Sequence, residues 1–138
     1  MQTRLLEVLT DPQRSVRLHH QPYSMLSYVW VQKYQQSSQW AIETLAMALD
    51  PQEVDLSLAN RQNAQAWLNQ KGYSPGVLTI GPLTRLGARV TRANVAFDDH
   101  PNEKRFSDRI ETITVDSVFA WMLRSGLAPD KVITLNLN

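Results

Sequence analysis

Ser37-Ser38-Gln39-Trp40-Ala41-Ile42-Glu43-Thr44-Leu45-Ala46-Met47-Ala48-Leu49 is the stretch on which the fold turns. Ile42, Leu45, Ala46 and Leu49 recur at three- and four-residue spacing, which sets them along one stripe of a helix. Either serine hydroxyl can accept from an orphan backbone N–H of the first turn, so the helix is predicted to open at Ser37-Ser38. Asp50-Pro51 ends it, because proline lacks the N–H that the next turn needs. This helix is expected to be central and to bury its stripe against a mainly antiparallel sheet.

Reading outward toward the N-terminus, Leu5, Leu6 and Leu9 predict a short helix over residues 3–9, broken at Asp11-Pro12. Residues 23–34 are rich in aromatic and β-branched side chains and read as a strand, part of it buried on both faces. Toward the C-terminus, Asn60 caps a helix over residues 60–71, and Gly72 suits the left-handed position after it. A short strand over 77–80 follows, then a helical turn over 82–87 and a brief strand over 95–97. Residues 98–102 form a loop by composition, and 113–115 a further strand. Asp116 is expected to cap a helix that Gly126 stops, and residues 132–137 alternate as a closing strand. Strands and helices mix without βαβ alternation, so the class is α+β.

The 138 residues, 43% hydrophobic, suit one domain spanning residues 1–138, with roughly two-thirds of its unfolded surface buried. No repeat or Gly/Ser/Pro-rich linker divides it. No run of eighteen apolar residues occurs, so no membrane span is expected. A net charge of +1 lacks the excess that phosphate tracking uses, which argues against nucleic acid as a partner. Arg85 and Arg89 sit four apart and read as one solvated helix face. The absence of cysteine excludes disulfides, thiolate metal sites and a thiol nucleophile. The opening residues carry Glu7 and reach Asp11-Pro12 before any long apolar region, unlike a signal peptide. The chain is therefore either cytoplasmic or a piece of a longer protein.

Three places could carry chemistry. His19-His20 are adjacent and point apart, so they read as surface residues before a proline turn and not as a shared metal site. Asp98-Asp99-His100 holds half of a general-base arrangement, a carboxylate beside an imidazole, and equally the residues of a tight Asx turn before Pro101. Ser37 stands where the helix macrodipole eases developing negative charge, a position for a nucleophile and equally for a plain cap. No glycine-rich phosphate loop or dinucleotide fingerprint is present, and no cofactor or metal is expected.

The runs Tyr34 to Glu43, Gly72-Tyr73-Ser74-Pro75, Thr84 to Pro101 and Ile110 to Phe119 resemble the bacterial domain of unknown function DUF2145, over nearly the whole chain. Members are typically longer, and many begin with an export signal, so the resemblance implies the C-terminal portion of an exported, periplasmic protein. The family is in turn distantly similar to circularly permuted papain-like proteins such as the NlpC-type peptidases and the lecithin:retinol acyltransferases. That likeness implies a papain-like half, or a permuted papain-like core. In those proteins a histidine of the first half works with a cysteine that opens a helix in the second. The motif sets Ser37 in the cysteine's place, and the expected histidine falls in the half without a counterpart here. Asp99 and His100 of the acidic loop are the candidates this sequence itself offers for catalysis. A hydroxyl is a far weaker nucleophile than a thiolate and needs a well-placed base. The reading is therefore a non-catalytic envelope or interaction domain, with a serine-variant hydrolase or acyltransferase as the alternative. A split sheet would leave an open face or edge, through which self-association is expected.

Overall fold

Helix α3, Ser37–Leu49, packs between α1, Gln2–Thr10, and α4, Arg61–Gln70. The computed structural model describes residues 2–50, 60–91 and 94–128; the closing strand expected over residues 132–137 lies outside them. Around the three helices come α2 (Pro12–Arg17), β1 (Gly76–Thr79), α5 (Pro82–Thr91), α6 (Asn102–Phe106), β2 (Arg109–Thr112) and α7 (Val115–Arg124). The class is α+β, and its sheet is antiparallel and two-stranded, pairing Gly76 with Thr112 and Leu78 with Ile110.

Because helices flank α3 on two sides, its buried arc is wider than one stripe. Ile42 and Ala46 join Tyr28, Val29, Leu68, Ile113 and Trp121 in the main core, while Met47 and Ala48 meet Val8 and Leu18 in a second cluster against α1. Leu45 and Leu49, expected on the buried stripe, are only half-buried. Among the described residues the main packing partners of α3 are the helices α1 and α4.

The largest correction falls on residues 23–34. Their composition is that of a strand, yet they form turns and loop, with one isolated parallel bridge between Tyr23 and Gln35. Side chains stand in for the missing ladder. Arg61 donates to the carbonyls of Gln32 at 3.0 Å and Tyr34 at 3.1 Å, and Gln39 to that of Val29 at 3.3 Å. Thr112 Oγ1 donates to the Ser27 carbonyl at 2.9 Å, and the Tyr28 N–H donates to Asp99 at 2.6 Å. A buried backbone satisfied this way needs no neighbouring strand.

Smaller differences have the same kind of cause. The expected strand over 95–97 is irregular, because Ser24 Oγ binds both the N–H and the carbonyl of Ala96. The strand expected over 113–115 ends at Thr112, since Thr114 is the N-cap of α7. Its hydroxyl accepts from the Ser117 N–H at 3.1 Å and Ser117 returns the bond, a capping box that displaces Asp116 from the expected role. The cap at Asn60 is as expected, accepting from the Asn63 N–H at 2.9 Å. Gly72, at φ +71°, closes α4, with the Tyr73 N–H reaching the Leu68 carbonyl at 2.9 Å.

Candidate functional site

Ser37 is the first residue of α3, not its cap. Gln36 holds the cap position and makes no side-chain cap, because its carboxamide turns to Thr112 Oγ1 at 2.7 Å and the Ile113 carbonyl at 3.0 Å. Ser37 is exposed, and its hydroxyl has no hydrogen-bond partner among the described residues. It lines a surface cavity of about 470 Å³ together with His19, His20, Tyr23, Gln36 and Trp40.

The histidine pair comes into this wall because α2 ends at Arg17 and the chain turns, the His19 N–H donating to the Val16 carbonyl at 3.0 Å. His20 is held twice. Its backbone N–H donates to Gln35 Oε1 at 2.8 Å, and its Nε2 lies 3.0 Å from the Lys33 carbonyl, which assigns the proton to Nε2 and leaves Nδ1 as an acceptor. His19 is exposed. Gln35 spends its remaining capacity inward, on the Leu18 carbonyl at 2.7 Å and on Glu43 at 2.8 Å.

Asp99 and His100 are brought together elsewhere. His100 Nδ1 lies 2.9 Å from Asp99 Oδ1, and its Nε2 lies 3.2 Å from the Glu111 carbonyl. Both side chains are without exposed surface. Tyr28 packs on the imidazole at 5.2 Å between ring centroids and gives its N–H to the other Asp99 oxygen. The carboxylate–imidazole arrangement exists, but it pins the 98–101 loop to Tyr28 and β2. An imidazole shut off from solvent, with its two nitrogens facing Asp99 and the Glu111 carbonyl, is not presented to Ser37 in its surface cavity.

Charges near this loop are paired. Asp98 binds Lys33 at 2.8 Å, and that hydrogen bond lowers the Asp98 pKa and raises that of Lys33. Lys104 binds Glu111, and that bond holds its ammonium above the ordinary lysine range. Arg85, expected on a solvated face, instead anchors the start of α5 to Asp108 at 2.6 Å and to the Ile80 carbonyl. Among the described residues no cluster of three or more His, Asp or Glu side chains is placed to hold a metal ion.

The family of uncharacterized proteins conserved in bacteria, DUF2145, matches residues 1–122. The chain belongs to this family. No curated protein and no solved structure matches it.

In this DUF2145 domain the polar residues that sequence reasoning missed are Glu43, Arg61, Gln35 and Gln65. Glu43 is fully buried within α3 and accepts from Arg61 Nε at 2.8 Å, Gln65 at 2.7 Å and Gln35 at 2.8 Å. A signal was present: Glu43 lies next to Ile42 on a helix that is apolar on nearly every other side, so it had to be buried or to interrupt the core. Its partner could not be read off, because Arg61 is eighteen residues away along the chain.

Proposed function

We propose that this domain binds and does not catalyse, serving as an interaction domain of the bacterial envelope. The observation that carries this reading is the separation of the catalytic candidates. Ser37 lines an exposed cavity, while His100 is fully enclosed with both nitrogens engaged. Placement at the envelope rests on the resemblance to exported proteins alone. The papain-like comparison rests on one element, α3, which Ser37 opens as a cysteine opens a helix in the permuted proteins.

The second reading is a serine-variant hydrolase or acyltransferase with Ser37 as nucleophile. It is favoured by an unbonded hydroxyl at the start of a thirteen-residue helix, in a cavity that two imidazoles also line. Reaction with a fluorophosphonate probe separates the two. The binding reading expects no labelling at Ser37 above that of a denatured control. Stoichiometric labelling, abolished by Ser37→Ala, would establish the enzyme instead.

A further inference from the structure

From its lining we infer that the Ser37 cavity is a saccharide site, taking a neutral sugar ring against the exposed Tyr23. This deepens the binding reading above and rests on it. At about 470 Å³ the cavity lies within the roughly 300–1,000 Å³ range of small-molecule sites. Among the described residues its lining holds two aromatic rings, three carboxamides, two imidazoles and the Ser37 and Tyr23 hydroxyls, with no Lys, Arg, Asp, Glu or aliphatic side chain. A lipid or other apolar ligand would leave the Gln21 amide, the Ser37 hydroxyl and the His19 ring unpaired, at a cost in affinity. A strongly charged ligand would find no fixed opposite charge. A pyranose has what the lining asks for: one face of C–H groups for an aromatic ring, and a rim of hydroxyls that both donate and accept.

The polar groups divide into those that brace the wall and those left for a ligand. Gln35 is committed to His20, Leu18 and Glu43, and the Gln36 amide nitrogen to Thr112 and Ile113. The Gln21 amide, the Ser37 hydroxyl, the Tyr23 phenol and the His19 ring have no hydrogen-bond partner among the described residues. Nδ1 of His20 adds an acceptor, since its Nε2 is held by Lys33. Mixed donors and acceptors on a wall fixed by buried bonds are what orient a polyhydroxylated ring without large reorganisation.

Saturation-transfer difference NMR on the full chain tests this, with maltotriose, cellotriose and the N-acetylglucosamine trimer as probes and citrate as an anionic control. Transfer to the ring protons of at least one trisaccharide is expected. That signal should fall at least fivefold in Tyr23→Ala and in Gln21→Ala. Both side chains are exposed, so unfolding midpoints of the two variants should match the parent. No transfer to any trisaccharide, equal transfer in parent and variants, or transfer to citrate alone would each overturn the assignment. Fluorophosphonate labelling of Ser37 would sink the non-catalytic reading while leaving sugar binding to be read from the NMR experiment.

Discussion

Arg61 Nε lies 2.8 Å from Glu43 Oε2 with both side chains buried, and the same guanidinium donates to the carbonyls of Gln32 and Tyr34. One side chain thus neutralises the buried charge of α3 and replaces a strand partner for the loop before it. Arg61→Ala is expected to destabilise by about 3–5 kcal/mol, because it strands a buried carboxylate as well as two carbonyls. Glu43→Met with Arg61→Leu should recover the part due to charge and keep the part due to the carbonyls. Urea unfolding of the single and double variants measures both, and a single-variant loss below about 1 kcal/mol would show that the pair is not the anchor described.

This pair also explains which parts of the fold were legible. Ser37–Leu49, Arg61–Gln70 and β1 follow local rules, apolar spacing with Asn60 before and Gly72 after, and those rules act within a few residues. Residues 23–34 follow none that is local. Their Tyr, Val and Trp content suits a pleated surface, but the hydrogen bonds that hold them come from Arg61, Asp99 and Thr112, up to 85 residues away. The candidate site was legible in part for the same reason. The Asp99–His100 contact is between sequence neighbours and was one of the two readings open there, whereas the placing of His19 and His20 beside Ser37 depends on Gln35, which binds the His20 N–H and the Leu18 carbonyl.

Caps give a sharp comparison. Thr114→Ala and Asn60→Ala each remove an acceptor from a helix N-terminus and should cost about 1 kcal/mol. Ser37→Ala removes no cap, since the hydroxyl stands past the cap position, and should stay within about 0.5 kcal/mol of the parent. Denaturant midpoints for the three variants, taken under one condition, check the order. A Ser37→Ala loss equal to that of Thr114→Ala would mean that Ser37 is a cap after all.

Asp99 ties its own loop to Tyr28 through two oxygens, the Tyr28 N–H on one and the His100 ring on the other. Asp99→Ala should therefore leave the buried Tyr28 N–H without a partner and the buried imidazole with only the Glu111 carbonyl, and cost about 2–4 kcal/mol. Asp99→Asn keeps the shape and one acceptor, so it should cost less. Hydrogen exchange at the Tyr28 amide offers a local readout: protection there should fall in both variants, further in Asp99→Ala. Unchanged protection would argue that another group carries that N–H.

A Cβ on Gly76 would lie 2.6 Å from both Cγ2 and Oγ1 of Thr114, the residue that caps α7. Thr114 is β-branched and bonded to Ser117, so it has little freedom to move aside. Gly76→Ala is expected to destabilise by about 1–3 kcal/mol through crowding. Adding Thr114→Ala to it should bring a smaller further loss than Thr114→Ala brings alone, because the clash is gone. Strict additivity of the two losses would show that the contact is relieved in some other way.

Tyr73 and Lys104 are two of the groups that set the expected response to alkali. Burial raises the pKa of the Tyr73 phenol, against an opposing hydrogen bond from Ser117, and the bond to Glu111 raises that of Lys104. Their ordinary values lie near 10, so above about pH 10 the unfolded chain loses protons that the folded chain keeps. The folded state then binds more protons than the unfolded one, and stability must fall as pH rises. Both contributions are complete below about pH 10 and disappear as pH passes through the raised values. Tyr73→Phe removes the phenol and its 2.7 Å contact with Ser117, so its stability at pH 8 should be lower than the parent's. Its further loss between pH 9 and pH 11 should nonetheless be smaller, because one of the titrating groups is gone. Urea midpoints at pH 8, 9, 10 and 11 for parent and variant measure the two slopes, and parallel slopes would show that folding does not raise the Tyr73 pKa.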